Sequence, residues 1–409
     1  MPRQIKQIKN FNKQISSVAF KIIVLHLMFI MGTMLTSSFI HILLWRLRSD
    51  LGYIAYFDLT FVTTTLVGYI ISAQLLTYIK SNKVFRLSFF FIILSYLCVL
   101  YWQEDLINHL FLLGGLNGLG NGLYWGAYNI LKLRQTTNTN REHYFGIIQG
   151  VFTVIATIFP ALSGFVIVYL PKVVGMEFSG YYLLYALSAA IFLVMSGYVE
   201  TLPKVKSKHF RLKDVVKLTN SKLFRDISIY ELLAGIYETG SKMVLVVFSF
   251  IILNNEFNLG IFSGFFGILS GVYIYFVGRK INIERRAEII LIGALFIFIG
   301  RIIFIYFLDI QALVLDRLLE TVGGPLFGLP IAAVILSTIE SRSNFKLEKE
   351  QEYLVASEIP LNFGRFFGSL FFIIFVSIFG SYNMTMIKVW FLVISTTTIV
   401  QWYYVKKLT

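Results

Sequence analysis

The stretch Glu200-Thr-Leu-Pro-Lys-Val-Lys-Ser-Lys-His-Phe-Arg-Leu-Lys-Asp-Val-Val-Lys-Leu-Thr-Asn-Ser-Lys-Leu-Phe-Arg225 decides how the chain is read. It carries eight Lys and Arg and lies near the middle of 409 residues. On both sides of it run apolar segments of about 20 residues, the length that crosses the hydrocarbon core of a bilayer as a helix. Hydropathy places them at 18–45, 53–79, 84–102, 107–131, 143–170 and 180–199 before the stretch, and at 226–253, 259–278, 287–307, 311–337, 354–379 and 383–404 after it. The expectation is an all-α polytopic membrane protein of twelve spans, arranged as two bundles of six. In domain terms that is a basic arm (1–17), a first bundle (18–199), the linker (200–225), a second bundle (226–404) and a short tail (405–409).

Composition supports the same solvent. Of all residues 57% are hydrophobic, 17% aromatic and only 14% charged, where a water-soluble surface needs roughly 25% charged residues. The N-terminal apolar run continues to Trp45 with no small-residue cleavage site. It therefore reads as a first span and not as a removable signal. Cys98 is the one cysteine, and the five histidines lack metal-ligand spacing. That excludes an intramolecular disulfide and any Cys-based metal centre.

Placement of the basic residues gives the orientation. With the N-terminus in the cytoplasm, twenty-eight of the 36 Lys and Arg fall in inner segments. Three (Arg46, Arg48, Lys172) fall in outer loops, and five (Lys242, Arg301, Arg317, Arg365, Lys388) lie within spans. Such an excess obeys the positive-inside rule and predicts a multi-pass plasma-membrane protein with both termini and the linker cytoplasmic. The net charge of +14 thus reports contact with anionic lipid at the cytoplasmic face, not nucleic acid. Within the linker, Leu212, Val215, Val216 and Leu223 alternate with Lys213, Lys217 and Lys222 at helical spacing. Either an interfacial helix or a solvated connector fits that pattern.

The halves share short patterns. Gly122-Leu-Tyr-Trp-Gly126 of the fourth span lies over Gly324-Pro-Leu-Phe-Gly328 of the tenth. Phe145-Gly-Ile-Ile-Gln-Gly150 of the fifth lies over Phe363-Gly-Arg-Phe-Phe-Gly368 of the eleventh. Parallel repeats of this kind are a recognised transporter architecture, and Gly126 with Gly328 and Gly150 with Gly368 are expected to superpose. After the eighth span, Gly271-Val-Tyr-Ile-Tyr-Phe-Val-Gly-Arg-Lys280 keeps two glycines and a basic pair. The chain resembles the major facilitator superfamily in this loop, in its six-plus-six layout and in its basic central linker. Tyr275 stands where that family usually has an acidic residue, and the first-half copy keeps only Lys80 and Lys83. Pro160 and Gly164 match part of an antiporter motif. The resemblance implies a secondary transporter that needs no cofactor. It also implies that Gly271, Gly278, Arg279 and Lys280 serve as a conformational gate loop, and that the first, fourth, seventh and tenth spans line a central cavity.

Charges at membrane depth are costly unless paired or wet, so they mark candidate substrate or proton paths. Glu238 and Lys242 share one face of the seventh span at i, i+4; Arg317 and Glu320 lie on the tenth; Glu358, Asn362 and Arg365 form a stripe on the eleventh. Two readings stand. Asp316, Glu238 and Glu320 balance Lys242, Arg317 and Arg365 as a neutral structural network, or a carboxylate carries protons or contacts substrate. Glu238, Glu320 and Arg365 are expected to approach one another across the cavity of the second half. The middle of the first half has no charge. His26 is expected to make a hydrogen-bonded packing contact, and His41 and Asp58 to lie at an interface. Asn121 and Trp125 belong to an aromatic–amide surface of the fourth span that suits either an organic substrate or helix packing.

No phosphate-cradling loop, Ser-His-Asp set or two-metal arrangement is present. An enzyme is not expected. The reading is a monomeric secondary transporter for a small molecule, coupled to protons or another ion, with export favoured by the aromatic content. Uptake of a polar or anionic solute, flipping of a lipid-linked intermediate, and a non-transporting scaffold or sensor are the alternatives. Topology is directly testable. In a Cys98→Ser background, an impermeant thiol reagent outside the cell should label Asn255→Cys and leave Ser207→Cys unlabelled; the reverse pattern overturns the orientation.

Overall fold

A computed structural model describes residues 16–37, 39–135, 141–207, 209–277, 283–342, 350–380 and 383–408, and these contain helices and connections but no β-strand. In chain order the α-helices are α1 (Ser17–Ser37), α2 (Ile40–Leu47), α3 (Leu51–Tyr78), α4 (Ser81–Trp102), α5 (Leu110–Gln135), α6 (Arg141–Val174) and α7 (Ser179–Tyr198). They continue as α8 (Leu212–Thr219), α9 (Lys222–Leu253), α10 (Glu256–Val277), α11 (Arg286–Phe307), α12 (Ile310–Arg342), α13 (Glu350–Phe379) and α14 (Met384–Lys406). All but α2 and α8 have twenty or more residues. Nine stretches among the described residues are long and apolar enough to cross a membrane by length and composition, with α4 and α5 in one of them. α12, which carries Asp316, Arg317 and Glu320, is not among the nine. Large apolar side chains such as Phe90, Phe111, Phe165, Ile158 and Phe276 project outward. A surface of that kind suits lipid, not water.

The first apolar run, expected as a single span over 18–45, is two helices. Thr33 Oγ1 donates back to the carbonyls of Phe29 and Ile30, and Thr36 Oγ1 to that of Thr33. These bonds compete with the helical ladder. α1 ends at Ser37, and a turn with Phe39 N–H on the Thr36 carbonyl leads into α2. The linker forms one short helix, α8, whose Val215 is buried against Phe224 and Tyr353 while Leu212 and Val216 face outward. It is docked on protein on one side, which neither sequence reading anticipated, and its exposed apolar side suits the interfacial helix and not a solvated connector. Two helix starts are capped by side chains: Asp50 accepts from Gly52 N–H at 2.8 Å, and Ser221 accepts from Phe224 N–H.

Backbone-on-backbone contacts hold the long helices together. A Cβ on Gly364 of α13 would overlap the Leu232 carbonyl of α9, and a Cβ on Gly260 of α10 would overlap the Pro160 carbonyl of α6. The absent side chains let axes approach closely, which adds dispersion contact where apolar solvent supplies no hydrophobic drive. α6 against α10, and α3 against α13, are the two most extensive seams among the described residues joining helices that precede the linker to helices that follow it. The sequence-matched glycines sit in unlike surroundings. Gly126 packs on Ser72 and Gly368 on Ile236, while Gly150 and Gly328 face open space.

That contrast is a stability prediction. Gly364→Val should cost about 1–3 kcal/mol, because α9 and α13 must part to admit it. Gly150→Val should stay within about 0.5 kcal/mol. Thermal midpoints of the purified variants check this; equal losses would refute the close approach of α9 and α13.

Candidate functional site

Successive turns of α9 place Glu238, Lys242, Leu245 and Ser249 on one face, since residues three and four apart stack along a helix. α12 turns Arg317, Glu320 and Gly324 toward the same space. α10 contributes Phe262 and Phe266, α11 contributes Arg301, α6 contributes Pro160, and Phe39 and His41 reach in from the start of α2. Together they enclose a cavity of about 790 Å³ between helices from both sides of the linker.

Arg301 organises the charged wall. Its side chain is 2% exposed; Nη1 donates to Asp316, and Nη2 donates to Glu320 Oε2 at 3.1 Å. Arg317 Nη1 reaches the same Glu320 oxygen at 2.7 Å. On the opposite side of α9's charge pair, Arg365 grips Glu238 Oε2 through Nε and Nη2, at 2.9 and 2.8 Å. The stripe on α13 is connected: Asn362 Nδ2 donates to Glu358, and Arg365 Nη1 donates to Asn362 Oδ1 at 3.4 Å.

Of the residues singled out from sequence, Glu238, Lys242, Arg317 and Glu320 line the cavity and Gly271 sits against Thr153. Arg365 stands behind Glu238, outside the wall. The expected meeting of Glu238, Glu320 and Arg365 is divided: Arg365 bonds Glu238, while Glu320 is taken by Arg301 and Arg317. The neutral set drawn up from sequence is likewise corrected. It omitted Arg301, whose long side chain crosses from α11 to α12 and takes both carboxylates there, and it assigned a partner to Lys242, which has no ion pair or hydrogen bond among the described residues. Position 301 is spaced from Asp316 by a helix–helix connection, so no i, i+4 pattern could reveal it. Gly278, Arg279 and Lys280 lie outside the described residues.

Asn121 and Trp125 lie on α5, which supplies no residue to the cavity wall. Asn121 donates to Asn117 at 2.8 Å, and Trp125 stands edge-on to His26, Phe29, Tyr124 and Tyr128. His26 makes a buried 2.9 Å hydrogen bond to the Tyr124 hydroxyl and stacks on Tyr128 with centroids 4.1 Å apart. The packing role read from sequence for His26 is observed. His41 and Asp58 are not interfacial: they are buried and bond each other at 2.9 Å. A polar pair shielded from water is stabilised by meeting a partner.

At the end of the bundle opposite the linker, Arg46 Nη1 donates to Glu256 Oε1 at 2.9 Å and Nη2 to Glu177 Oε1 at 3.3 Å. The Tyr181 hydroxyl donates to the same Glu256 oxygen at 2.7 Å. At the linker end, Arg211 N–H donates to Glu352 Oε1 at 3.1 Å, and Ser207 N–H to the Leu76 carbonyl.

The arrangement of a charged, helix-lined cavity between two groups of long apolar helices defines a membrane transport protein. A family model described as Major Facilitator Superfamily matches residues 22–344, and the chain belongs to that family. It is 27% identical over 352 residues to "Uncharacterized protein YqgE" of Bacillus subtilis (strain 168), covering 85% of this chain and 80% of that protein. Solved structures share the fold at low identity. The nucleoside transporter NupG superposes with a TM-score of 0.69 at 13% identity, over 96% of this chain and 99% of that one. A POT family transporter in complex with a thioalcohol-conjugated peptide gives 0.71 at 11% identity, over 98% and 100%. The protein is thus a multi-span membrane transporter with a small-molecule substrate, not an enzyme.

Removing Arg301 strands the buried Asp316 carboxylate and leaves Glu320 with Arg317 alone. Arg301→Gln should destabilise the protein by about 3–5 kcal/mol, read as lost monodisperse yield and a lower melting midpoint. Asp316→Asn in the same chain should recover part of that loss by removing the stranded charge. No recovery would show that the pair does not act as a unit.

Proposed function

We propose that the chain is a secondary transporter working by alternating access, with twelve crossings in two halves of six. The linker and both termini are cytoplasmic, and the chain acts as a monomer in the plasma membrane. The carrying observation is the 790 Å³ cavity, whose wall draws on helices from both sides of the linker and holds charges at mid-helix. In this reading the Arg46–Glu256 cluster closes the outer end, and the α8 and Arg211–Glu352 contacts close the cytoplasmic end. The α6–α10 and α3–α13 seams, smooth where glycine replaces a side chain, are the surfaces on which the halves rock.

Coupling falls to Glu238. Its carboxylate opens onto the cavity and its ion-pair partner Arg365 is carried by another helix, so a small shift of α9 against α13 changes whether the carboxylate has Arg365 as well as Lys242 beside it. Protonation and movement are linked in that case, as any group with different proton affinity in two states must be. Export is favoured by the predominantly apolar wall, which suits amphipathic compounds entering from the cytoplasm or inner leaflet.

The test needs no substrate. Leu245→Cys in the Cys98→Ser background should be labelled by an impermeant thiol reagent from either face, in right-side-out and inside-out vesicles. An imposed pH gradient should shift the ratio between faces, and Glu238→Gln should abolish the shift. Access from one face only, under every gradient, overturns alternating access. A shift that survives Glu238→Gln overturns the assignment of coupling.

A further inference from the structure

The cavity wall carries three cations, Lys242, Arg301 and Arg317, against two carboxylates, Glu238 and Glu320. Both carboxylates are already engaged. Glu320 holds two guanidinium groups, and Glu238 is gripped twice by Arg365 from behind the wall. Asp316 is consumed by Arg301. Glu231 and Glu358 interact with Arg365 from outside the wall and do not face Lys242 across the cavity. Lys242, exposed to the cavity, has Glu238 one turn away as an electrostatic neighbour, but that carboxylate is already gripped by Arg365, and Lys242 makes neither ion pair nor hydrogen bond among the described residues. An ammonium held at this depth, whose nearest carboxylate is already bonded to a guanidinium, attracts an anion.

Chemistry around it narrows the class. Phe262 and Phe266 pack in the wall with tilted rings, centroids 4.8 Å apart, and Phe39, Leu245, Leu259 and Ile274 extend the apolar surface. Ser249 lies two turns from Lys242 on the same face of α9, and its buried Oγ has no hydrogen-bond partner. Pockets of roughly 300–1,000 Å³ take drug-sized molecules, and this one falls in that range at about 790 Å³. We infer that the cavity binds an amphipathic organic anion, with its anionic head on Lys242 and its apolar body against Phe262 and Phe266. The assignment rests on the transporter reading and adds the substrate class to it. It also fits the direction: a negative-inside membrane potential drives an anion outward by about 2.3 kcal/mol per charge per 100 mV.

Three ligands of one shape test it: 4-phenylbutyrate, its amide, and 4-phenylbutylamine. Binding to the purified protein is measured by thermal shift and by titration calorimetry. The carboxylate should bind at least about tenfold more tightly than the amide, with the amine weakest, the scale of a charge-assisted hydrogen bond in place of a neutral one. Lys242→Gln should remove that advantage while leaving the unliganded melting midpoint unchanged, and Lys242→Arg should keep it. Equal or better binding of the amine, no binding of any of the three, or an unchanged carboxylate preference in Lys242→Gln overturns the inference. The vesicle labelling of Leu245→Cys separates this from the broader reading. Labelling from both faces with amine preference leaves a transporter of another substrate class. Lysine-dependent carboxylate binding with labelling from one face only leaves an anion-binding protein that does not alternate.

Discussion

A guanidinium that cannot reach water must be met by acids, and most of the second half is arranged around that requirement at Arg301. The buried pair with Asp316 ties α11 to α12 at a point where Gly300 lets the Asp316 backbone come close. With α11 and α12 locked in register, Glu320 and Arg317 are presented to the cavity and not to lipid. Desolvating several ions in one place is unfavourable by several kcal/mol for each, and their mutual attraction offsets it only when the geometry is complete. Such a cluster is a poor source of net stability but a strong determinant of which helix faces which.

The first half meets the same solvent without any charge at its centre. His26, Phe29, Tyr124, Tyr128 and Trp125 form one aromatic cluster, closed by hydrogen bonds from His26 to Tyr124 and between the Tyr128 and Tyr144 hydroxyls. The three tyrosine hydroxyls each have a partner, so those rings are buried at little polar cost. Rigidity and chemistry are thus divided. A stacked aromatic block precedes the linker, and an ionic, solvent-reachable wall follows it.

Between the two, α6 and α10 meet backbone to backbone: Gly164 and Gly260 hold them together through main-chain contact, while the Arg46–Glu256 and Arg211–Glu352 bonds tie the two ends. A smooth middle with polar latches at either end can slide with small losses, because only the latch bonds are exchanged. Interlocked side chains would instead have to leave their holes.

Much of the architecture was legible from residues alone, because a bilayer permits so few solutions. Apolar runs of spanning length, the basic segment at 200–225 and the stacking of Glu238 on Lys242 all follow from helix geometry and lipid as solvent. The break between α1 and α2 was present in the threonines at 33 and 36 but hidden by their apolar neighbours. Three-dimensional placement decided the rest. Whether Arg301 would find its carboxylates, and whether Arg365 would take Glu238, depends on how helices rotate and approach, and no local pattern encodes that. Nor could the sequence tell that Asn121 and Trp125 pack away from the cavity while Phe262 and Phe266 line it, since all lie on apolar helices. Solvent dictated which segments became helices; contact between helices distant in sequence dictated which charges joined in ion pairs.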